Sequence, residues 1–265
     1  MNRISFLIIA GIILVVSVSD SQLYASAIYI DFSNYFTPID TSWVAIGFSQ
    51  AQLKQDGRYS MVLSADMSWR FREKALVRLQ LPYPTIRTET RFSHGIGDGI
   101  VRTSYRLMGD TLDTSGLYLI GDVRLPMGSR DHLPLSYGSL DGGAGMELRR
   151  KTSFFQLRFL TAFTMAGERV KAGPFIHDNF FTLAFSLETE LFGGTSLAFS
   201  GFGLIYRGGE TREIYILALE KHLIGGIGFS LSGALEAGSE EMRAFDSQLC
   251  IFLRYAMSTP ADDDN

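Results

Sequence analysis

MVLSADMSWRF, Met61 to Phe71, passes through Arg72-Glu73-Lys74 into ALVRLQL, Ala75 to Leu81. In the first arm Met61, Leu63, Ala65, Met67, Trp69 and Phe71 alternate with Val62, Ser64, Asp66, Ser68 and Arg70. In the second, Ala75, Val77, Leu79 and Leu81 alternate with Leu76, Arg78 and Gln80. A period of two with unlike faces is the pattern of a β-strand. Strands of soluble proteins usually run to about 5–6 residues, whereas a tilted strand crossing a bilayer needs about 9–11. The first arm meets the longer requirement. The stretch therefore predicts one hairpin of a closed transmembrane barrel.

The bulk numbers agree with a single all-β unit. Charged residues make up 20% of the chain and aromatic residues 12%, with 27 glycines and 7 prolines. Soluble domains carry about 25% charge. A net charge of −4 argues against nucleic acid as a partner. One cysteine, Cys250, excludes an intrachain disulfide and a cysteine-based metal site. At the N-terminus, Arg3 precedes the apolar run Ile4 to Val18, and Ala25-Ser26-Ala27 fits the small-x-small cleavage rule. Residues 1–27 are expected to be a cleaved signal peptide, residues 28–42 a periplasmic lead-in, residues 43–257 the barrel, and residues 258–265 a disordered acidic tail.

Reading onward from the hairpin, alternating segments recur and predict about twelve antiparallel strands, an even number as outer-membrane barrels require. Connections after the second, fourth, sixth, eighth and tenth strands are short. Most of the others are long and polar, among them the expected loops Pro82 to Gly97, Pro126 to Gly142 and Ala166 to Asp178. Short periplasmic turns and long external loops would produce this rhythm. Closure is forced, because hydrocarbon offers no partner to an open sheet edge. A soluble sandwich or lipocalin-like barrel would use the same alternation with its faces exchanged. Strand length, the signal peptide and aromatic residues near strand ends favour the membrane: Trp69, Phe71, Tyr83, Tyr105, Phe154, Phe192, Tyr206 and Tyr255 would form the interfacial girdle. The phases of the ninth and tenth strands, Thr195 to Tyr206 and Glu213 to Lys221, are not readable from alternation.

Two glycine-rich stretches carry a family likeness. Gly95-Ile96-Gly97-Asp98-Gly99 leads into Val101 to Leu107, and Asp122-Val123-Arg124-Leu125-Pro126-Met127-Gly128 is followed by Gly138-Ser139-Leu140-Asp141. Together they resemble uncharacterised bacterial outer-membrane β-barrel families, including transporters of the phenol meta-degradation pathway and a related family known only as a domain of unknown function. The resemblance implies an outer-membrane barrel of about twelve strands with an uptake role and no catalytic residues. Its suggested solutes are small, aromatic or otherwise hydrophobic. The chain departs from many such barrels in its end, since residues follow Tyr255 where a terminal aromatic is usual.

The inward-facing charges are the candidate functional residues. The phasing sends Arg70, Arg78, Arg102, Arg106, Arg124, Arg149, Arg158 and Arg254 into the lumen, together with Asp66, Asp122 and Glu147. It sends Glu188, Glu190, Glu220 and Glu236 from the strands on which no inward base is recognisable. Arginine would dominate one wall and carboxylate another, a field that orients solutes in a narrow pore. The alternative is that these charges pair and fill a closed structural barrel. A second alternative is a barrel-borne lipid hydrolase using Ser93 and His94 with Glu89, or the pair His177-Asp178. Neighbours on one strand face opposite ways, which weakens Ser93 and His94 as partners. Asp98 between two glycines is expected to cap a turn rather than hold calcium, which needs about six to eight oxygens. No cofactor or metal is expected. The expected partners are outer-membrane lipid, the barrel assembly machinery and an unidentified small solute. Lipopolysaccharide would meet Lys54, Arg58, Arg87, Arg91 and Arg130.

Overall fold

The structure, a computed structural model, describes residues 42–52, 59–71, 74–87, 92–109, 115–128, 136, 138–168, 170–172, 175–237 and 247–257. The expected signal peptide, the lead-in before Ser42 and the acidic tail lie outside these residues. Twelve long strands form one antiparallel sheet: β1 (Ser42–Gln52), β2 (Tyr59–Phe71), β3 (Ala75–Arg87), β5 (Gly99–Gly109), β6 (Gly116–Leu125), β7 (Asp141–Lys151), β8 (Phe155–Met165), β11 (Phe180–Glu190), β12 (Thr195–Tyr206), β13 (Thr211–His222), β14 (Ile227–Ala237) and β15 (Ser247–Met257). Three short strands lie in the connections: β4 (Phe92–His94), β9 (Val170–Ala172) and β10 (Phe175–His177). Neighbours in the sheet are neighbours in sequence, and β1 pairs with β15 as well as β2. That last pairing closes the cylinder, so each long strand has a partner on both sides.

The alternation decides which face looks where. Leu63, Leu119, Leu148, Phe159, Phe185, Leu217 and Leu235 stand exposed on the outside. Asp66, Arg78, Glu147, Arg158, Arg212 and Glu236 are buried within. A wall with such a greasy exterior can meet only lipid at this scale, so the barrel spans a membrane. Phe71, Tyr83, Tyr105, Phe154, Phe192 and Tyr255 are exposed near strand ends, where an interfacial girdle sits. Tyr206 is a correction to that set, because it is buried inside the barrel.

Strands β12 and β13 account for the correction. Ala198, Ser200, Phe202, Leu204 and Tyr206 point inward from β12, and Arg212, Ile214, Ile216, Ala218 and Glu220 from β13. Both faces of these strands carry apolar residues, so alternation offers no contrast. The interior is accordingly part charged and part apolar. Tyr118, Ile120 and Leu160 form a buried cluster, with Leu76 and Ala184 packed against it.

The connections alternate in length as expected, which makes the short-turn end periplasmic by the rule for these barrels. The turn between β11 and β12 uses Gly193 and Gly194, both at positive φ (59° and 70°), a backbone that favours glycine in tight hairpins. Two expected loops contain strand. Residues 170–177 hold the β9–β10 hairpin. The stretch Pro82 to Gly97 is not simply loop: β3 continues through Pro82 and Pro84, and β4 folds back on it. The prolines are tolerated for a geometric reason. In an antiparallel strand a residue's nitrogen and carbonyl face the same side. The carbonyls of Pro82 and Pro84 accept from the amides of Gly97 (2.9 Å) and Gly95 (3.2 Å), so the missing N–H groups face away from β2.

Candidate functional site

Most inward arginines meet a carboxylate. Arg78 pairs with Asp66 at 3.2 Å, Arg102 with Asp122 at 2.5 Å, and Arg124 with Asp141 at 3.3 Å. Glu147 serves two partners, accepting from Arg149 at 2.7 Å and Arg158 at 2.5 Å. Arg254 holds Glu220 at 2.7 Å, and Arg212 is bonded to Glu236. Pairing of opposite charges is what their burial demands. It also removes the expected division into an arginine wall and a carboxylate wall. Arg212 on β13 and Arg254 on β15 supply the bases that Glu236 and Glu220 need. Arg212 is not among the expected inward residues, because it precedes Glu213 to Lys221, the segment whose alternation suggests a strand. Its signal was the spacing of Arg212, Ile214, Ile216, Ala218 and Glu220, which is readable only once the phase is known.

Toward the periplasmic end, aromatic rings extend this network. Trp43 is buried between two guanidiniums, 5.2 Å from Arg78 and 5.3 Å from Arg254. Asp66–Arg78–Trp43–Arg254–Glu220 thus forms a bar joining β2, β3, β1, β15 and β13. On the other side Arg149 lies 4.1 Å from the Tyr118 ring. Both contacts are cation–π attractions in a site sheltered from solvent. Glu188 is half-buried near Arg158, Arg70 half-buried near its strand end, and Glu190 exposed at the rim.

The external mouth is built by the two glycine-rich stretches. Asp98 is buried and accepts from the Ser136 hydroxyl (2.9 Å) and the Gly128 amide (3.3 Å). Asp141 accepts from Ser139 (3.0 Å), from the Gly167 amide (3.0 Å) and from Arg124. Residues expected only to shape turns hold the long loops to the barrel.

Small recesses lie inside the wall among the described residues. A recess of about 230 Å³ opens at the periplasmic rim beside Lys151, Gln156, Glu188, Glu190, Ser196 and His222. One of about 40 Å³ lies externally beside Asp122, Arg124 and Asp141. Deeper in, the space beside Glu147, Ser186 and Phe202 is about 10 Å³, on the order of one water. A wider groove of about 670 Å³ involves outward residues such as Leu117, Met146, Phe159, Leu183 and Tyr215, and so belongs to the lipid side.

Among the described residues, His94 and Asp178 make other local contacts. His94 Nδ1 shares a 2.9 Å hydrogen bond with the Tyr83 hydroxyl, and its ring packs 5.5 Å from Phe92. Glu89 lies outside the described residues, as do Lys54, Arg58, Arg91 and Arg130. The Asp178 carboxylate accepts from the Asn179 amide at 2.7 Å.

No protein-family model matches the sequence, and no curated protein matches it. Solved structures do match. An outer membrane channel from Pseudomonas putida F1 aligns with a TM-score of 0.61 at 10% identity, over 83% of this chain and 97% of that one. The chain has the fold of an outer-membrane channel. The NanC porin gives a TM-score of 0.58 at 10% identity, over 82% of this chain and 100% of its own. The KdgM porin, solved in complex with disordered oligogalacturonate, gives 0.56 at 6% identity, over 81% and 99%.

Proposed function

We propose that this chain is a porin-like passive channel of the bacterial outer membrane, narrow enough to admit only small solutes. One observation carries the reading. Ser49, Ser68, Ser104, Ser186 and Ser200, on β1, β2, β5, β11 and β12, point inward and are buried, and their hydroxyls have no hydrogen-bond partner among the described residues. A buried hydroxyl left unpaired costs about 1–3 kcal/mol. Hydroxyls on both sides of the barrel, at several depths, favour a hydrated interior over a sealed one. The paired charges then line the path, and the bar through Trp43 narrows its periplasmic end. Solutes wider than water pass when these side chains shift.

The likeness of Gly95–Asp141 to phenol meta-pathway transporters supports membership in that group and uptake of aromatic or other hydrophobic compounds. The solved channel and porins of the same fold support transport rather than catalysis. Single-channel recording in planar bilayers, with liposome swelling alongside, tests the proposal. A small, steady conductance altered in ion selectivity by Arg102→Glu is expected. A silent bilayer together with unswollen liposomes would overturn it in favour of a closed structural barrel.

A further inference from the structure

Arg106 is a buried cation for which the described barrel supplies no anion. It is 6% exposed, its Nη1 is buried without a partner, and its side chain makes no ion pair with a described residue. Its backbone amide donates to the Lys74 carbonyl at 2.8 Å. Arg78, Arg102, Arg124, Arg149, Arg158, Arg212 and Arg254 each have a carboxylate. A guanidinium held out of water without an anion is strongly unfavourable, so its occurrence calls for a partner.

Two further observations place that partner. The β5–β6 register shifts between Arg106 and Met108, a bulge immediately beside the arginine. Bulges re-aim a side chain and gather near functional sites. Directly opposite Arg106 in the ladder stands Tyr118, which carries the Arg149 guanidinium over its ring at 4.1 Å. Arg149 gives Nε and Nη2 to Glu147 (2.7 and 2.8 Å) and keeps a buried Nη1 without a partner. Opposed residues of a ladder have Cβ atoms about 5 Å apart, so two arginines with unspent donors flank one ring. Arg149 and Arg158 share Glu147, with Glu188 approaching Arg158 from β11. The apolar cluster of Tyr118, Ile120 and Leu160, with Leu76, adjoins them.

We propose that Arg106 and Arg149 form an anion subsite inside the barrel for a small organic carboxylate, its two oxygens on the guanidiniums and its apolar body against the Tyr118 cluster. Guanidinium donors suit carboxylate geometry. The proposal rests on the inward geometry of β5, β6 and β7, and stands whether or not the barrel conducts.

The test is thermal unfolding of the full chain refolded in detergent, titrated with sodium benzoate, sodium acetate or sodium chloride at constant ionic strength. A ligand that binds only the folded state raises Tm. Benzoate is expected to raise Tm progressively with the logarithm of its concentration, by about 4 °C at the highest concentration, with acetate weaker and chloride inert. Arg106→Met should abolish the response and match or exceed the wild-type Tm in chloride, since it removes an unpaired buried charge. Should Arg106→Met fail to fold, Arg106→Gln serves in its place, and the wild-type titration stands alone. A flat wild-type titration overturns the proposal, as does a response that survives loss of Arg106. Equal effects of acetate and benzoate overturn the apolar half of the site. Glu73, one residue before Lys74 and outside the described residues, is the internal rival. An anion response that appears only in Glu73→Gln would name Glu73 as the partner of Arg106 and overturn the site.

Discussion

Asp98 and Ser136 are 38 residues apart in the chain and 2.9 Å apart in space. The same carboxylate takes the amide of Gly128. The connections that follow β3 and β6 are therefore joined at the external mouth through a buried aspartate.

Removing that aspartate should loosen the mouth and leave the wall intact. Asp98→Ala costs about 1–3 kcal/mol for the hydrogen bonds left unmade. Limited trypsin digestion is expected to cut faster between β6 and β7, while the heat-modifiable gel shift of the folded barrel persists. An unchanged cleavage rate would show that Asp98 holds nothing.

Glu147 is the acceptor for Arg149 and Arg158, so Glu147→Gln leaves two buried guanidiniums short of an anion. Breaking a buried pair costs about 3–5 kcal/mol, and the urea midpoint should fall accordingly. Adding Arg158→Met should recover part of the loss, because partners in one network are not additive.

Trp43 offers a local probe of the path. Trp43→Ala removes the ring between Arg78 and Arg254, with a stability loss of about 3–5 kcal/mol typical of a large buried aromatic. If the bar is the narrow point, single-channel conductance rises and larger sugars begin to swell liposomes. Conductance equal to that of the wild type would place the narrow point elsewhere.

The outward face can be tested through depth. Leu217 sits mid-strand on β13 and is 55% exposed on the outer wall. Leu217→Arg should cost about 2–4 kcal/mol for folding into vesicles, and Tyr255→Arg near the strand end about 0–1 kcal/mol. Two equally small effects would mean that water, not lipid, bathes this face.

The hairpin Met61 to Leu81 shows how much alternation carries. Its charged and greasy faces differ at almost every pair, so strand identity and the inward residues are legible in the sequence. The same holds for Arg102, Glu147 and Arg158. Strand β13 shows where alternation carries no contrast. Ile214 and Ile216 face inward while Leu217 and Leu219 face outward, and two apolar faces look alike in one dimension. The inward position of Arg212 and its pairing with Glu236 are for that reason not legible in the sequence.

From the chain alone came the all-β class, the long amphipathic strands, the alternation of short and long connections and most of the inward charges. These depend on residues near one another in sequence, where a period of two is enough. The tertiary structure decided which arginine meets which carboxylate, that Trp43 closes a bar across five strands, that Pro82 and Pro84 remain within β3, and that Arg106 stands without an acid among the described residues. Each of those depends on the register between strands and on closure of the ring, and no single strand contains that information.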